Sequence, residues 1–165
     1  MNRRMFLFLL ISFGSMCFLC SCNRKSPPDY KDVTQYYEAN HESLEAVAQY
    51  LRAIDDNYQA YDRYTKPVLY ANANGISLEQ IQKQLESLWQ TGCEDVIKDN
   101  TNTDNTISFQ LWHRESRQAE CGIACTVNGE GQPHVQFQIE VKEIAPGWYY
   151  YYANYELFRS KPRMP

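Results

Sequence analysis

Apolar side chains recur at every second position over much of the C-terminal half of the chain, and this alternation constrains the fold more than any other feature. It runs through residues 107–111, 121–127 and 135–141. A period of two is typical of β-strands that bury one face. Residues 148–155 add a segment rich in the aromatic residues that strands favour. The pattern therefore predicts four strands, with turns at Asn128-Gly129 and Ala145-Pro146-Gly147.

The region before these strands has the spacing of amphipathic helices instead. Residues 29–65 contain no glycine or proline, and their apolar side chains recur at alternating intervals of four and three residues. A helix of this length would extend roughly 50 Å and outreach a small sheet, so we expect a kink or break near Asn40. A second helix is predicted from Ser77, where Gln80 completes a capping box, to Gly92, which ends it.

Together these elements predict a two-layer α+β domain, with two N-terminal helices packed on one face of a four-stranded antiparallel β-meander. If the apolar positions share one face, His113 lies opposite Cys121 in the first hairpin, and Val127 lies opposite Val135 in the second. A shift of one residue would turn the apolar set towards water, so this register is strongly favoured.

The first 21 residues have the pattern of a secretory signal, in which a positively charged start precedes an apolar run over residues 5–20. The motif Leu19-Cys20-Ser21-Cys22 resembles the lipobox of bacterial lipoproteins. It has an aliphatic residue three positions before the modified cysteine and a small residue directly before it. The resemblance implies cleavage just before Cys22 and acylation of that cysteine.

Two alternatives to this processing stay open. The apolar run could be an uncleaved signal anchor, although it has roughly 16 residues and a membrane span needs about 20. Cys20 could be the modified residue, although Leu19 before it is large for that position. On the favoured interpretation, residues 1–21 are a signal peptide, residues 22–29 a tether and residues 30–165 a single α+β domain. The lipid anchor would hold this domain in the cell envelope, outside the cytoplasm.

Charge argues against one class of partner. Cleavage of the leader would remove only two charged residues, Arg3 and Arg4, so the mature chain would carry 14 basic and 20 acidic residues. This net charge of −6 argues against binding to nucleic acid. The sequence also has no glycine-rich phosphate loop, no zinc-protease motif and no acidic calcium loop, so we expect no cofactor and no metal.

Three cysteines follow the lipidation motif: Cys93, Cys121 and Cys125. The last two are four residues apart in a predicted strand, about 13 Å, which is too far for a disulfide or a shared zinc ion. Two interpretations stay open. Either Cys121 and Cys125 are small buried residues, or Cys93 forms a disulfide with Cys121 or Cys125.

The pairing of His113 with Cys121 is the one predicted contact that could carry chemistry. A neighbouring histidine can lower the pKa of a thiol and make it a nucleophile. No motif supplies an Asn or Asp to orient the imidazole, so we prefer a histidine at a strand end whose hydrogen bonds are satisfied, and we expect the protein not to be an enzyme. An envelope hydrolase or thiol enzyme using His113 and Cys121 is the alternative.

The chain has thirteen tyrosines, more than the core of one small domain needs. Alternate strand residues face opposite sides, so two of the four consecutive tyrosines must point away from the helices. The predicted binding surface consists of Trp112, Gln136, Gln138, Tyr149, Tyr150, Tyr151 and Tyr152. Because tyrosine and tryptophan are enriched in binding hot spots, we expect a binding or accessory module with a protein or glycan partner. The alternative is that the tyrosines reflect strand propensity alone.

Overall fold

The computed structural model describes residues 26–70, 75–101 and 105–160. Within these residues the protein is α+β, with three α-helices and one antiparallel sheet of six strands. The helices are α1 (Tyr30–Arg52), α2 (Leu78–Thr91) and α3 (Tyr155–Ser160). The strands are β1 (Tyr58–Asp62), β2 (Asp95–Asp99), β3 (Thr106–Arg114), β4 (Ala119–Thr126), β5 (Gln138–Ala145) and β6 (Trp148–Asn154). The α+β class is confirmed, whereas the prediction of four strands and two helices is wrong in number.

Helix α1 is continuous through Asn40, so a break at that residue is not observed. It begins after Asp29, whose side chain accepts a hydrogen bond from the backbone N–H of Asp32. The Asn40 amide donates to the carbonyl of Tyr36 within the helix (2.9 Å) and accepts a hydrogen bond from the Thr91 hydroxyl (3.0 Å). These bonds let a poor helix former stay inside α1.

The chain leaves the helical conformation after Arg52, and the predicted continuation to residue 65 is wrong. Two hydrogen bonds, one from a residue of β2 and one from the residue just after it, hold the segment that follows α1. The Lys98 ammonium donates to the carbonyl of Ile54 (2.6 Å), and the Asn100 N–H donates to the carbonyl of Asn57 (2.7 Å). The segment that follows is therefore β1, the strand at one edge of the sheet.

Helix α2 agrees with its predicted caps. The Ser77 side chain accepts a hydrogen bond from the backbone N–H of Gln80. Gly92 ends the helix with φ +112°, in the left-handed region that glycine adopts without steric cost.

The strand order is β1-β2-β3-β4-β6-β5, so the sheet is not a simple meander. Strand β6 lies between β4 and β5, and the predicted pairing of Val127 with Val135 is wrong. The reason is that residues 127–137 leave the sheet as a loop, and β5 begins only at Gln138. The predicted turn at Ala145-Pro146-Gly147 does join β5 to β6.

The β3–β4 register also differs from the expected one. Trp112 pairs with Cys121 and His113 pairs with Glu120, after an irregularity between Gln110 and Trp112. A bulge inserts one extra residue into a strand and so shifts the side chains beyond it to the opposite face. The residues of β3 after the bulge therefore have the reverse of the orientation that strict alternation predicts.

One hydrophobic core joins α1 and α2 to the sheet face that they cover. Its largest fully buried side chains include Tyr50, Phe109, Leu44, Leu51, Leu85, Leu88 and Ile123. The two helices therefore occupy one face, which leaves the opposite face to be covered by other parts of the chain.

Candidate functional site

The sheet face away from α1 and α2, here called the outer face, is partly covered by the loop of residues 127–137. Val135 in this loop packs with Ala124, Tyr151 and Ala153 in a second, smaller hydrophobic cluster. Thr106 holds the loop against β3, since its hydroxyl donates to the carbonyl of His134 (2.8 Å) and accepts from the His134 N–H (3.0 Å). The outer face is therefore not the flat open surface that the alternation predicted.

The loop ends at Phe137, whose backbone has φ +58°. A non-glycine residue rarely adopts this left-handed conformation, so the surrounding contacts must stabilise it. The Phe137 carbonyl accepts a hydrogen bond from the Asn154 N–H (3.0 Å). Its ring packs edge-on against Tyr155 and Phe158 of α3, with centroids 4.9 and 5.7 Å away. These contacts fix an aromatic wall beside the uncovered part of the outer face.

A pocket of about 390 Å³ opens where the loop stops covering the sheet. We call it the Glu120 pocket; it is lined by His113, Glu115, Gln118, Glu120, Gln136, Phe137 and Ala153. His113 and Glu120 are directly opposite each other on β3 and β4, and therefore point to the same side of the sheet. Carboxyl, amide, imidazole and phenyl groups thus converge in one place.

Glu120 is the most perturbed acid of this pocket. Burial, and to a smaller extent the nearby carboxylate of Asp95, raise its pKa from 4.5 to about 7. The amide of Gln110, itself buried, donates a hydrogen bond to the Glu120 carboxyl. Near neutral pH this group therefore exists both as an acid that can donate and as a carboxylate that can only accept.

A second pocket of about 680 Å³ adjoins the Glu120 pocket and shares Glu115 and Gln118 with it. Its other lining residues are Ser116, Tyr155, Glu156, Arg159 and Ser160. The two pockets together form a groove that runs from the outer face along α3.

The predicted binding residues do not form one surface. Gln136 lines the Glu120 pocket, and the amide oxygen of Gln138 accepts a hydrogen bond from the Val135 N–H (3.2 Å), which supports the loop. Trp112 was expected on the outer face, and this expectation is wrong. Because of the bulge it is 7% exposed and belongs to the core beneath the helices.

The four consecutive tyrosines alternate as expected, yet they do not form an open aromatic face. Tyr149 and Tyr151 pair with Ala124 and Gly122 on the outer face, and Tyr150 and Tyr152 pack on the helix side. Tyr151 and Tyr150 are buried, and the other two are half-buried. Their main role in the described structure is packing on both sides of the sheet.

His113 and Cys121 do not meet, so the expected contact between them is wrong. His113 is exposed and shares the outer face with Glu120, whereas Cys121 is fully buried on the helix side. The Cys121 thiol donates to the carbonyl of Pro28 (3.4 Å). The two side chains are thus on opposite faces of the sheet, and no proton transfer between them is geometrically feasible.

The described cysteines are all buried as thiols, and no disulfide joins any two of them. Of the two interpretations left open, Cys121 and Cys125 are indeed small buried residues, and the alternative of a disulfide from Cys93 to either of them is wrong for this structure. Burial raises the pKa of Cys125 to about 12 and raises that of Cys93 above its ordinary range. Thiols of this kind are poor nucleophiles. Cys22, the expected lipidation site, lies outside the described residues.

Across residues 26–70, 75–101 and 105–160, no cluster of His, Cys, Asp and Glu side chains is arranged to hold a metal ion. Within the same part of the chain, no helix has both the length and the apolarity needed to cross a bilayer.

No protein-family model, curated protein or solved structure matches this chain.

Proposed function

We propose that the protein is a lipid-anchored binding module of the bacterial cell envelope, and that it binds a sugar unit of a glycan in the Glu120 pocket. The leader with its lipobox-like motif supports the anchor and the location outside the cytoplasm. The net negative charge of the mature chain supports a partner other than nucleic acid.

The observation that carries the proposal is the set of side chains around Glu120. Ligand pockets usually have volumes of about 300–1,000 Å³ and a few converging polar groups on an apolar wall. The Glu120 pocket has about 390 Å³ and combines the groups of His113, Gln118, Glu120 and Gln136 with the ring of Phe137. It therefore has the size and composition of a site for one small polar unit.

A sugar matches this set better than an apolar ligand does. Its hydroxyl groups both donate and accept hydrogen bonds, as do the two amide side chains and the imidazole. A sugar ring also has an apolar face of C–H groups that can pack against Phe137. An apolar ligand would instead cover the Gln136 amide without a hydrogen-bond partner and leave the Glu120 carboxyl with only its bond from Gln110, which costs free energy.

The proposal can be tested by following backbone amide NMR signals of the full chain in detergent during titration with soluble disaccharides. The probes are an N-acetylglucosamine disaccharide and neutral glucose, galactose and mannose disaccharides, with a short cell-wall peptide for comparison. We expect at least one sugar to shift signals of His113, Glu120 and Gln136 in a saturable manner. The absence of such shifts with every sugar, or shifts with the peptide only, would refute sugar binding.

The same loop offers a matched pair of variants for this titration. Gln136→Ala removes an exposed side chain from the pocket lining, and Gln132→Ala removes an exposed glutamine that does not line it. Loss of one hydrogen bond of about 1 kcal/mol should weaken binding roughly fivefold in the Gln136 variant. The Gln132 variant should bind like the native protein, and equal loss in both would contradict the assignment of the site.

A further inference from the structure

The two edges of the sheet differ in how well they are protected against pairing with another strand. The β5 edge carries Glu140, Lys142 and Glu143, and its pairing with β6 is interrupted by two irregularities. Charges and bulges of this kind are common devices that prevent edge-to-edge association. The β1 edge is less protected, since its five residues pair with β2 without interruption and Asp62 is its single charged residue.

The backbone of β1 presents hydrogen-bonding groups to the open side. The carbonyl of Asn57 accepts a hydrogen bond from the Asn100 N–H, and the N–H of Arg63 donates to the carbonyl of Glu94; Asn100 and Glu94 directly flank β2. In an antiparallel pair, residues that bond to the neighbour alternate with residues whose backbone groups point the other way. Tyr58, Ala60 and Asp62 therefore direct their N–H and C=O groups away from β2. Among the described residues, no backbone hydrogen bond reaches these groups from outside.

The side chains at this edge are unusually apolar for a surface. Tyr58 is 54% exposed, and Ala60 is exposed beside it. Directly after β1, Tyr64 is 80% exposed and Val68 is 65% exposed. Exposed aromatic residues beside an uninterrupted strand edge mark a surface where another strand can add.

The charges around β1 favour one occupant, which is a second copy of the same strand. Asp55 and Asp56 precede the strand with a charge of −2, whereas Asp62, Arg63 and Lys66 at its end have a net charge of +1. Antiparallel pairing of two identical strands places the acidic start of each beside the end of the other that carries Arg63 and Lys66. Parallel pairing would place like charges side by side.

We propose that two copies of this chain pair through β1 in antiparallel orientation, with a two-fold axis at Ala60, and so form one continuous sheet. In this register Ala60 faces Ala60 of the second copy, and Tyr58 faces Asp62 of the second copy. Tyr58, Ala60 and Asp62 of each copy then all form hydrogen-bonded pairs with residues of the same set in the other copy. Any other antiparallel register leaves at least one of the three without such a partner. The small side chain of Ala60 leaves room for the Tyr58 ring of the other copy to lie diagonally across it. This inference does not depend on the proposed sugar site.

The test is the molar mass of the full chain in detergent, measured by sedimentation velocity across about two orders of magnitude in concentration from the micromolar range upward. We expect a monomer–dimer equilibrium. Ala60→Lys places two like charges on the axis and should leave only monomer. Gln90→Lys makes the same charge change at an exposed position of α2 and should leave the dimer intact.

A cysteine variant tests the register. In a hydrogen-bonded antiparallel pair the Cα atoms are about 5.5 Å apart, a separation that a disulfide accepts. Ala60→Cys should therefore form a cross-linked dimer under mild oxidation far faster than Tyr64→Cys, which places a thiol on a more exposed residue outside the strand. A monomer at all concentrations, a dimer that Ala60→Lys does not weaken, or equal cross-linking of both cysteine variants would overturn the proposal.

Discussion

Replacing Glu120 by glutamine should stabilise the protein, and the gain should depend on pH in a defined way. Burial beside Asp95 raises the pKa of this carboxyl from 4.5 to about 7 in the folded protein. Below the unfolded-state value both states hold the proton, and Glu120 costs no stability. As the pH rises towards the folded-state value, the unfolded chain releases the proton first, so the stability of the folded state falls. Glutamine cannot ionise and avoids this loss.

The size of the effect follows from the pKa difference between the two states. A change from 4.5 to about 7 corresponds to about 3 kcal/mol at 1.36 kcal/mol per pH unit. Because Glu120 keeps partial contact with solvent, we expect a gain of about 2 kcal/mol for Glu120→Gln at alkaline pH. The substitution retains an oxygen that can accept the hydrogen bond from Gln110.

Urea unfolding of both proteins between about pH 4 and about pH 9 measures the effect as a difference between two curves. Burial also raises the pKa values of Asp95 and Glu94, but these groups are present in both proteins and largely cancel in the difference. Glu115→Gln, at an exposed position of the same pocket, is the control and should change little at any pH. A stability difference that is constant with pH, or one that shrinks as the pH rises, would refute the reasoning.

Three further outcomes are expected. Gly122→Ala should lower the free energy of unfolding by at least about 2 kcal/mol in urea, because the new Cβ would lie 2.0 Å from the carbonyl oxygen of Phe109. Iodoacetamide should alkylate none of the described thiols before urea is added, as peptide mass spectrometry can show, because these thiols are buried. The intact mass of protein purified from bacterial membranes should show residues 1–21 removed and an acyl group on Cys22; a retained leader would contradict the proposed anchor.

Helix α2 could be predicted well because its signals are local. The Ser77 cap, its bond from Gln80 and the glycine at position 92 all act within a few residues of the helix ends. Such interactions do not depend on how the rest of the chain packs. The same holds for the turn between β5 and β6, where Gly147 has φ +78°.

The strands β1 and β2 were missed because their signals depend on distant partners. Tyr58 and Tyr61 are three residues apart, a spacing that fits a helix stripe as well as a short strand. Tyr61 is buried in a strand only because it pairs with Val96, 35 positions further along the chain. Periodicity cannot separate the two interpretations over five residues.

The position of Trp112 was missed because a bulge breaks the alternation on which the prediction depends. One signal was available. Two large apolar residues, Leu111 and Trp112, are adjacent in a strand where strict alternation would place one of them in water. Gly122 on the opposite strand marks a close backbone approach to Phe109. Together these features favour a bulge over an exposed tryptophan.

Among the residues that line the Glu120 pocket, Gln136 was predicted as a binding residue and His113 as a possible partner of Cys121, whereas Glu120 was not predicted. The alternation of apolar and polar residues predicts only that Glu120 is a polar residue on the solvent-facing side of its strand. Its partial burial depends on residues that are distant in the sequence, since Gln110 of β3 donates to its carboxyl and Gln136 and Phe137 of the loop line the same pocket. The perturbed acid is therefore a tertiary property that periodicity does not reveal.

The path of this loop also explains the surplus of tyrosines. A sheet covered by helices on one face needs large side chains on that face only. Here the loop carrying Val135 covers part of the other face as well, so Tyr150 packs under the helices while Tyr151 packs under the loop. Tyrosines that suggested an open binding surface thus form a core on both sides of β6. What remains accessible on this face is the region beyond Phe137, where the loop ends and the Glu120 pocket begins. The extent of the loop, and not the aromatic content of the strand, therefore sets the position of the proposed binding site.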